Sequence, residues 1–136
     1  MGKAQRTESL IPTILTKLKN YQLPDLQTPK NANDFVFIDD VVYAFIKATS
    51  LKNKSRVYNL GAGVSTSVIE VCRIAENVVL GTDSLTQEME KKFRYATSDV
   101  NFWADCTLSK KISDGSQQLL LKRELNRLGN GFKLNE

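Results

Sequence analysis

Two short apolar runs, Phe35-Val36-Phe37-Ile38 and Val57-Tyr58-Asn59-Leu60, constrain this chain more than any other feature. Each reads as a buried β-strand, and each leads into a stretch with helical spacing. Ahead of them, residues 9–20 predict a helix. Ser9 can cap it, Pro12 falls in its first turn, and Leu10, Ile11, Ile14, Leu15 and Leu18 form one apolar stripe. Asp39-Asp40 opens a second helix, where carboxylates meet free N–H groups and the positive dipole end, with Val42, Phe45, Ile46 and Thr49 on one side. A Lys/Asn/Ser loop at 50–55 ends it. The second run enters the turn Gly61-Ala62-Gly63, after which Ser65, Thr66 and Ser67 offer caps for a third helix. That helix carries Val68, Val71, Cys72, Ala75, Val78 and Val79 inward, and Gly81 is its stop. The charged stretch 82–95 predicts exposure, and FWAD at 102–105 predicts a short extended segment with Trp103 as a core aromatic. A last helix starts at Thr107. Strands alternating with helices predict an α/β fold with parallel strands. A parallel sheet is covered on both faces, however, and two strands with three helices leave much of that surface unmatched. The chain reads as part of an α/β protein, incomplete on its own.

At 136 residues the chain suits one domain at most. Its 41% hydrophobic and 25% charged residues exclude a wholly disordered chain. No apolar run approaches the roughly 20 residues of a membrane span, so a soluble, cytoplasmic protein with no membrane partner is expected. The absence of histidine excludes a Ser-His-Asp or Cys-His catalytic group and any His-bearing zinc site. Cys72 and Cys106 form no CxxC and read as buried apolar residues without a disulfide. The net charge of +4 is scattered over pairs such as Lys91-Lys92, Lys110-Lys111 and Lys122-Arg123 with no interleaved aromatics. That pattern is a solvated surface, and no nucleic acid is expected as a partner.

Three features invite chemistry and have simpler readings. Gly61-Ala62-Gly63-Val64-Ser65-Thr66 lies between strand and helix like a dinucleotide loop, but Thr66 stands where close helix–strand packing wants Gly or Ala. Asp83 follows at about the distance of a ribose-binding carboxylate, yet within a polar loop. The loop is read as a plain turn, without a cofactor. Asp39-Asp40 is read as a helix cap, and no serine has a partner that would activate it. No metal site and no self-sufficient catalytic group are expected.

Four segments match one family in order. MGKAQRTESLIPTIL resembles the "YGxGQRxxSLIP" segment of the extended short-chain dehydrogenase/reductases, the NAD-dependent nucleotide-sugar epimerase/dehydratase family. NDFVFIDDVVYAFIKA resembles its "RDFVYVDDVVRAxxxA", VYNLGAGVSTSVIEV its "VYNIGxGxxxSVxEL", and FWADCTLSKK its "xxADxSKAKxxLGW". Together they cover residues 1–111. The resemblance implies the C-terminal, substrate-binding portion of a Rossmann-like enzyme of roughly twice this length. In that family an N-terminal half binds NAD(P) through GxxGxxG and moves a proton with a YxxxK pair; no GxxGxxG occurs in this sequence, and all four matching segments belong after the family's YxxxK pair. NAD(P) is thus a cofactor of the parent family, and none is expected for this chain alone. The implied partner is a nucleotide sugar, in deoxyhexose and surface-polysaccharide synthesis.

By the same resemblance, Gln5, Arg6, Ser9, Leu10 and Ile11 border the nucleotide-sugar site, joined by Asn33 and Arg94. Asn33 stands where the family often has a phosphate-binding arginine, which loses a bidentate charged donor. Arg94 lies near the place of a second such arginine, offset by two residues from the common arrangement.

Residues 1–112 therefore form a partial nucleotide-sugar-binding region, and 113–136 a non-family tail. Written with permissible codons and read from the last base of the Asp114 codon, DGSQQLLLKRELNRLGNGF becomes WKPTTSIEEGIKQTWEWF, the family's expected ending. The tail is read as translated out of frame, with no designed structural role. The expected product is a fragment of an NAD(P)-dependent nucleotide-sugar epimerase, dehydratase or reductase, inactive alone and prone to self-association through exposed sheet edges. The alternative is a small non-enzymatic binding or protein-interaction module.

Overall fold

A computed structural model describes residues 6–49, 57–97, 100–112 and 125–126. In chain order the elements are α1 (Leu10–Lys19), β1 (Ala32–Asn33), α2 (Ile38–Thr49), β2 (Thr66–Ser67), α3 (Val68–Leu80), α4 (Ser84–Lys92) and α5 (Thr107–Ile112). The described part is mainly helical with a small two-stranded sheet, an arrangement compatible with a partial α/β fold.

The centre is α1 laid against α3, and α4 also packs against α3. On α1, Ile11, Ile14, Leu15 and Leu18 are buried, the stripe its spacing predicts. They meet Val68, Ile69, Val71, Cys72 and Ala75 of α3, together with Leu26, Phe37 and Met89. Each fully buried Leu, Ile or Val stabilises by roughly 1.5–3 kcal/mol, so this layer dominates the fold. Val78 and Val79 are half-buried against it. Leu125, from the stretch read as tail, is buried in the same cluster.

The helix ends follow from local chemistry. Ser67 is the N-cap of α3, and its hydroxyl accepts from the Glu70 N–H at 3.3 Å. Gly81 ends α3 in the left-handed region, φ +74°, donating its N–H to the Asn77 carbonyl. Ser9 occupies the N-cap position of α1, but its side chain makes no cap bond, contrary to expectation.

The strands differ from the sequence reading. Phe35 to Phe37 and Val57 to Leu60 carry no strand, and Ile38 already belongs to α2. A strand needs a neighbour for its N–H and C=O groups, and the described ladder forms elsewhere. β1 pairs with β2 antiparallel, Ala32 opposite Ser67 and Asn33 opposite Thr66. Among the described residues, parallel geometry is confined to a bridge from Ala32 to Asn101, where Ala32 N donates to Val100 O and Phe102 N to Ala32 O. Phe37 is buried and Phe35 half-buried, so the apolar signal was a packing signal without a ladder.

Two further expectations are corrected. The polar stretch after Gly81 contains a helix, α4, because Thr86 and Met89, one turn apart, both face inward. Trp103 is 53% exposed instead of lying in the core. Cys72 and Cys106 are both buried and free, as expected.

Candidate functional site

Residues 28–34 are the crossing point of the molecule. Val68 N donates to Asn31 O at 3.0 Å and Ile69 N to Pro29 O at 2.9 Å, which seats the start of α3 on this segment. At its end, the Asp34 carboxylate accepts three backbone bonds, from Ala62 N (2.7 Å), Gly63 N (3.0 Å) and Ala104 N (3.1 Å). One side chain thus ties together three segments far apart in sequence. The glycines of the turn are explained by it. A Cβ on Gly61 would strike the Asp34 carboxylate and lie 2.9 Å from the Ala104 Cβ, while Gly63 has φ +72°. The Cys106 thiol also donates to Gly61 O at 3.4 Å, closing the turn from the other side.

This geometry decides what the Gly-Ala-Gly turn can hold. A dinucleotide pyrophosphate is bound by loop amides and by the N–H groups opening the next helix. Here Ala62 and Gly63 give their N–H groups to Asp34, and Val68, Ile69 and Glu70 give theirs to Asn31, Pro29 and Ser67. The residues present do not fit a dinucleotide, and the turn is structural.

A second cluster lies at the far end of the same segment. The Lys30 ammonium donates to Arg94 O at 3.0 Å, bringing the residues after α4 to the segment that carries Asn33. The Arg94 guanidinium lies 5.9 Å from the centre of the Tyr95 ring. With Gln87, Glu90 and Lys91 it lines an open surface cleft of about 380 Å³. Arg73 pairs with both Glu70 and Glu90. Burial pulls its guanidinium down, but the hydrogen bond to Glu90 and the charges of Glu70, Glu90 and Asp83 outweigh that and raise it. Glu90 is therefore neutralised from behind, and Lys91 and Arg94 give the cleft a positive balance.

The remaining site residues are more dispersed. Arg6 is exposed ahead of α1, its carbonyl accepting from Ser9 N at 3.0 Å. Ser9 and Leu10 are half-buried, whereas Ile11 is 3% exposed and belongs to the core. Asn33 is half-buried opposite Thr66. Gln5 lies outside the described residues. Among the described residues, no group of three or more Cys, Asp or Glu side chains is placed to hold a metal ion. No described helix is long and apolar enough to cross a membrane.

Three residues escaped sequence reasoning. Lys30 sits in a polar connection with no local pattern, and Asp34 matches the family's Asp-Phe pair without any sequence sign of the segments it would tie together. Glu76 falls on the buried side of α3, where its 0% exposure reflects a tertiary task. It accepts from Leu85 N (2.9 Å), Thr86 N (2.8 Å) and the Thr86 hydroxyl (2.6 Å), capping α4 from a neighbouring helix. The N-cap residue Asp83 makes no such bond and instead accepts from the Gln87 amide.

Among curated proteins the chain is similar to the CDP-abequose synthase of Salmonella muenchen, 26% identical over 103 residues. The match takes in 76% of this chain but 31% of that protein, so the chain spans about a third of the length of the curated relative it matches. No protein-family model and no solved structure matches.

Proposed function

We propose that this chain is the nucleotide-sugar-binding portion of an NAD(P)-dependent nucleotide-sugar epimerase, dehydratase or reductase, and that it does not catalyse the reaction alone. The similarity to part of CDP-abequose synthase carries this reading, because it takes in most of this chain and the relative's name specifies a CDP-linked sugar product. The four family-like segments over residues 1–111 support it from the sequence. The parent enzyme would act in the cytoplasm, with NAD(P) bound by GxxGxxG and the proton moved by YxxxK, both in the half of the family that precedes the segments matched here. Residues 1–112 are the working region, and 113–136 the out-of-frame tail.

The cationic cleft gives this reading its chemistry. A pyrophosphate needs fixed positive charge, and Arg94 with Lys91 supplies it while Lys30 holds the Arg94 backbone. Asn33, in the segment that Lys30 anchors, offers a neutral amide. By the family resemblance, Gln5, Arg6, Ser9, Leu10 and Ile11 border the nucleotide-sugar site.

Calorimetry of the intact chain with CDP-, UDP-, dTDP- and GDP-linked sugars tests the proposal. Saturable binding of at least one is expected without NAD(P), weakened about tenfold or more by Arg94→Ala, the loss of one charged phosphate contact. A folded chain that binds none of them refutes it.

A further inference from the structure

We propose that the cleft along α4 selects the base of its nucleotide, taking cytosine in preference to uracil or thymine through the side-chain oxygen of Gln87. This inference rests on the nucleotide-sugar reading above. Gln87, Glu90, Lys91 and Arg94 line the cleft. Residues three, four and seven positions after Gln87 share its side of a helix, so the four lie in a row along α4 and the turn that follows it. The row is sorted by chemistry. Lys91 and Arg94 hold the C-terminal end, where that reading sets the pyrophosphate, and Gln87 begins the row. It lies about 6 Å before Lys91 along the helix axis. A nucleoside laid back along α4 from the two cations therefore brings its base to Gln87.

The Gln87 amide has a fixed sense. Its Nε2 donates to Asp83 Oδ1 at 2.9 Å. A carboxylate offers only acceptors, so the amide nitrogen must face Asp83, and Oε1 takes the other prong. The anchor is held in turn. Asp83 is half-buried, and its charge acts on Arg73, which also pairs with Glu70 and Glu90. Glu90, three residues after Gln87, is likewise an acceptor whose charge Arg73 offsets. The base end of the cleft thus presents oxygen acceptors, and the phosphate end presents cations. Cytosine carries an amino donor where uracil and thymine carry a carbonyl oxygen. The amino group makes a hydrogen bond to Gln87 Oε1, whereas the carbonyl sets oxygen against oxygen.

Calorimetry of the intact chain with CDP, UDP and dTDP is the test. CDP is expected to bind about 2–12-fold tighter than the other two, the worth of one ordinary hydrogen bond. Gln87→Met, of similar length but without the amide, should bring the three affinities together. Asp83→Ala should narrow the gap as well, because the freed amide can turn its NH2 group toward a uracil carbonyl, whereas Asp83→Asn keeps an acceptor for the amide and should keep the preference. Arg94→Ala should weaken all three alike and leave their ratio unchanged. Gln87 is exposed and the Asp83 side chain makes no cap bond, so these substitutions leave the core intact. Equal affinity for CDP and UDP, still lowered by Arg94→Ala, overturns the base selection and leaves the nucleotide site standing. A CDP preference that survives Gln87→Met overturns it too, because another group then reads the base. A folded chain that binds none of the three sinks this inference together with the reading it rests on.

Discussion

Replacing Asp34 by asparagine turns one carboxylate oxygen into an NH2 group and leaves the shape unchanged. The native carboxylate accepts three backbone bonds, at 2.7, 3.0 and 3.1 Å. In the better of its two orientations, the asparagine oxygen keeps Gly63 and Ala104 while its NH2 group faces the Ala62 N–H, donor against donor. Hydrogen bonds to charged groups contribute about 1.5–3 kcal/mol each and neutral ones about 0.5–1.5. One lost bond, at about 1.5–3 kcal/mol, and two weakened by about 1–1.5 kcal/mol each sum to roughly 3.5–6 kcal/mol. The site is half-buried, and water reaching the stranded N–H brings the expected loss to about 2–4 kcal/mol. That is a large share of the 5–15 kcal/mol that stabilises a typical domain, and it should lower a urea midpoint by about 1–2 M. The assay is urea unfolding followed by circular dichroism, with hydrogen exchange at the amides of Ala62, Gly63 and Ala104. A midpoint within about 0.3 M of the parent, with unchanged exchange at those three amides, would refute the clamp. A double-mutant cycle sharpens the comparison. Gly61→Ala should cost less in an Asp34→Ala background, because the carboxylate its Cβ would strike is gone.

Three other outcomes are expected. Glu76→Ala should cost about 2–4 kcal/mol and free the first turn of α4, read as faster amide exchange at Leu85 and Thr86, since it strips three bonds from a buried helix end. Burial first, and the Glu76 charge second, push the Cys72 thiol up from 9.0 to about 12. The unfolded chain releases that proton at lower pH than the folded one, so this contribution is intact below pH 9 and is lost by about 1.4 kcal/mol per unit as pH rises from 9 to 12. Cys72→Ala should flatten that slope in alkaline urea titrations. Leu125→Ala should cost about 2–5 kcal/mol by leaving a cavity in the α1–α3 core, and equal stability of the two proteins would show that this residue contributes nothing.

The legible parts of the fold were those where one segment carries its own instruction. The Ile11, Ile14, Leu15 and Leu18 stripe identified α1. The stripe from Val68 to Ala75, bounded by Ser67 and Gly81, marked both ends of α3. The strands failed because a strand is a relation between segments: Phe35 to Phe37 has the right side chains but no described ladder neighbour. Helix α4 was hidden because only Thr86 and Met89 face inward, and its N-terminal cap comes from Glu76 on another helix. The candidate site divides the same way. Arg94 was visible by resemblance, whereas Lys30 and Asp34 acquire meaning only when residues 94, 62 and 104 arrive beside them.

Vectorial synthesis gives that last arrangement a temporal side. Asp34 lies 70 residues before Ala104, its most distant donor. At roughly 5–20 residues per second, a ribosome needs about 4–14 s to make that stretch. Throughout this interval the carboxylate is held by water alone or by the 62–63 turn, and for its first part the apolar stripe of α1 waits for α3. A nascent chain stalled before Ala104 carries an incomplete clamp, and one stalled before Leu80 an open core as well, the forms that chaperones and proteases meet first. The same knot that fixes the finished molecule therefore sets the length of time for which the growing one is unprotected.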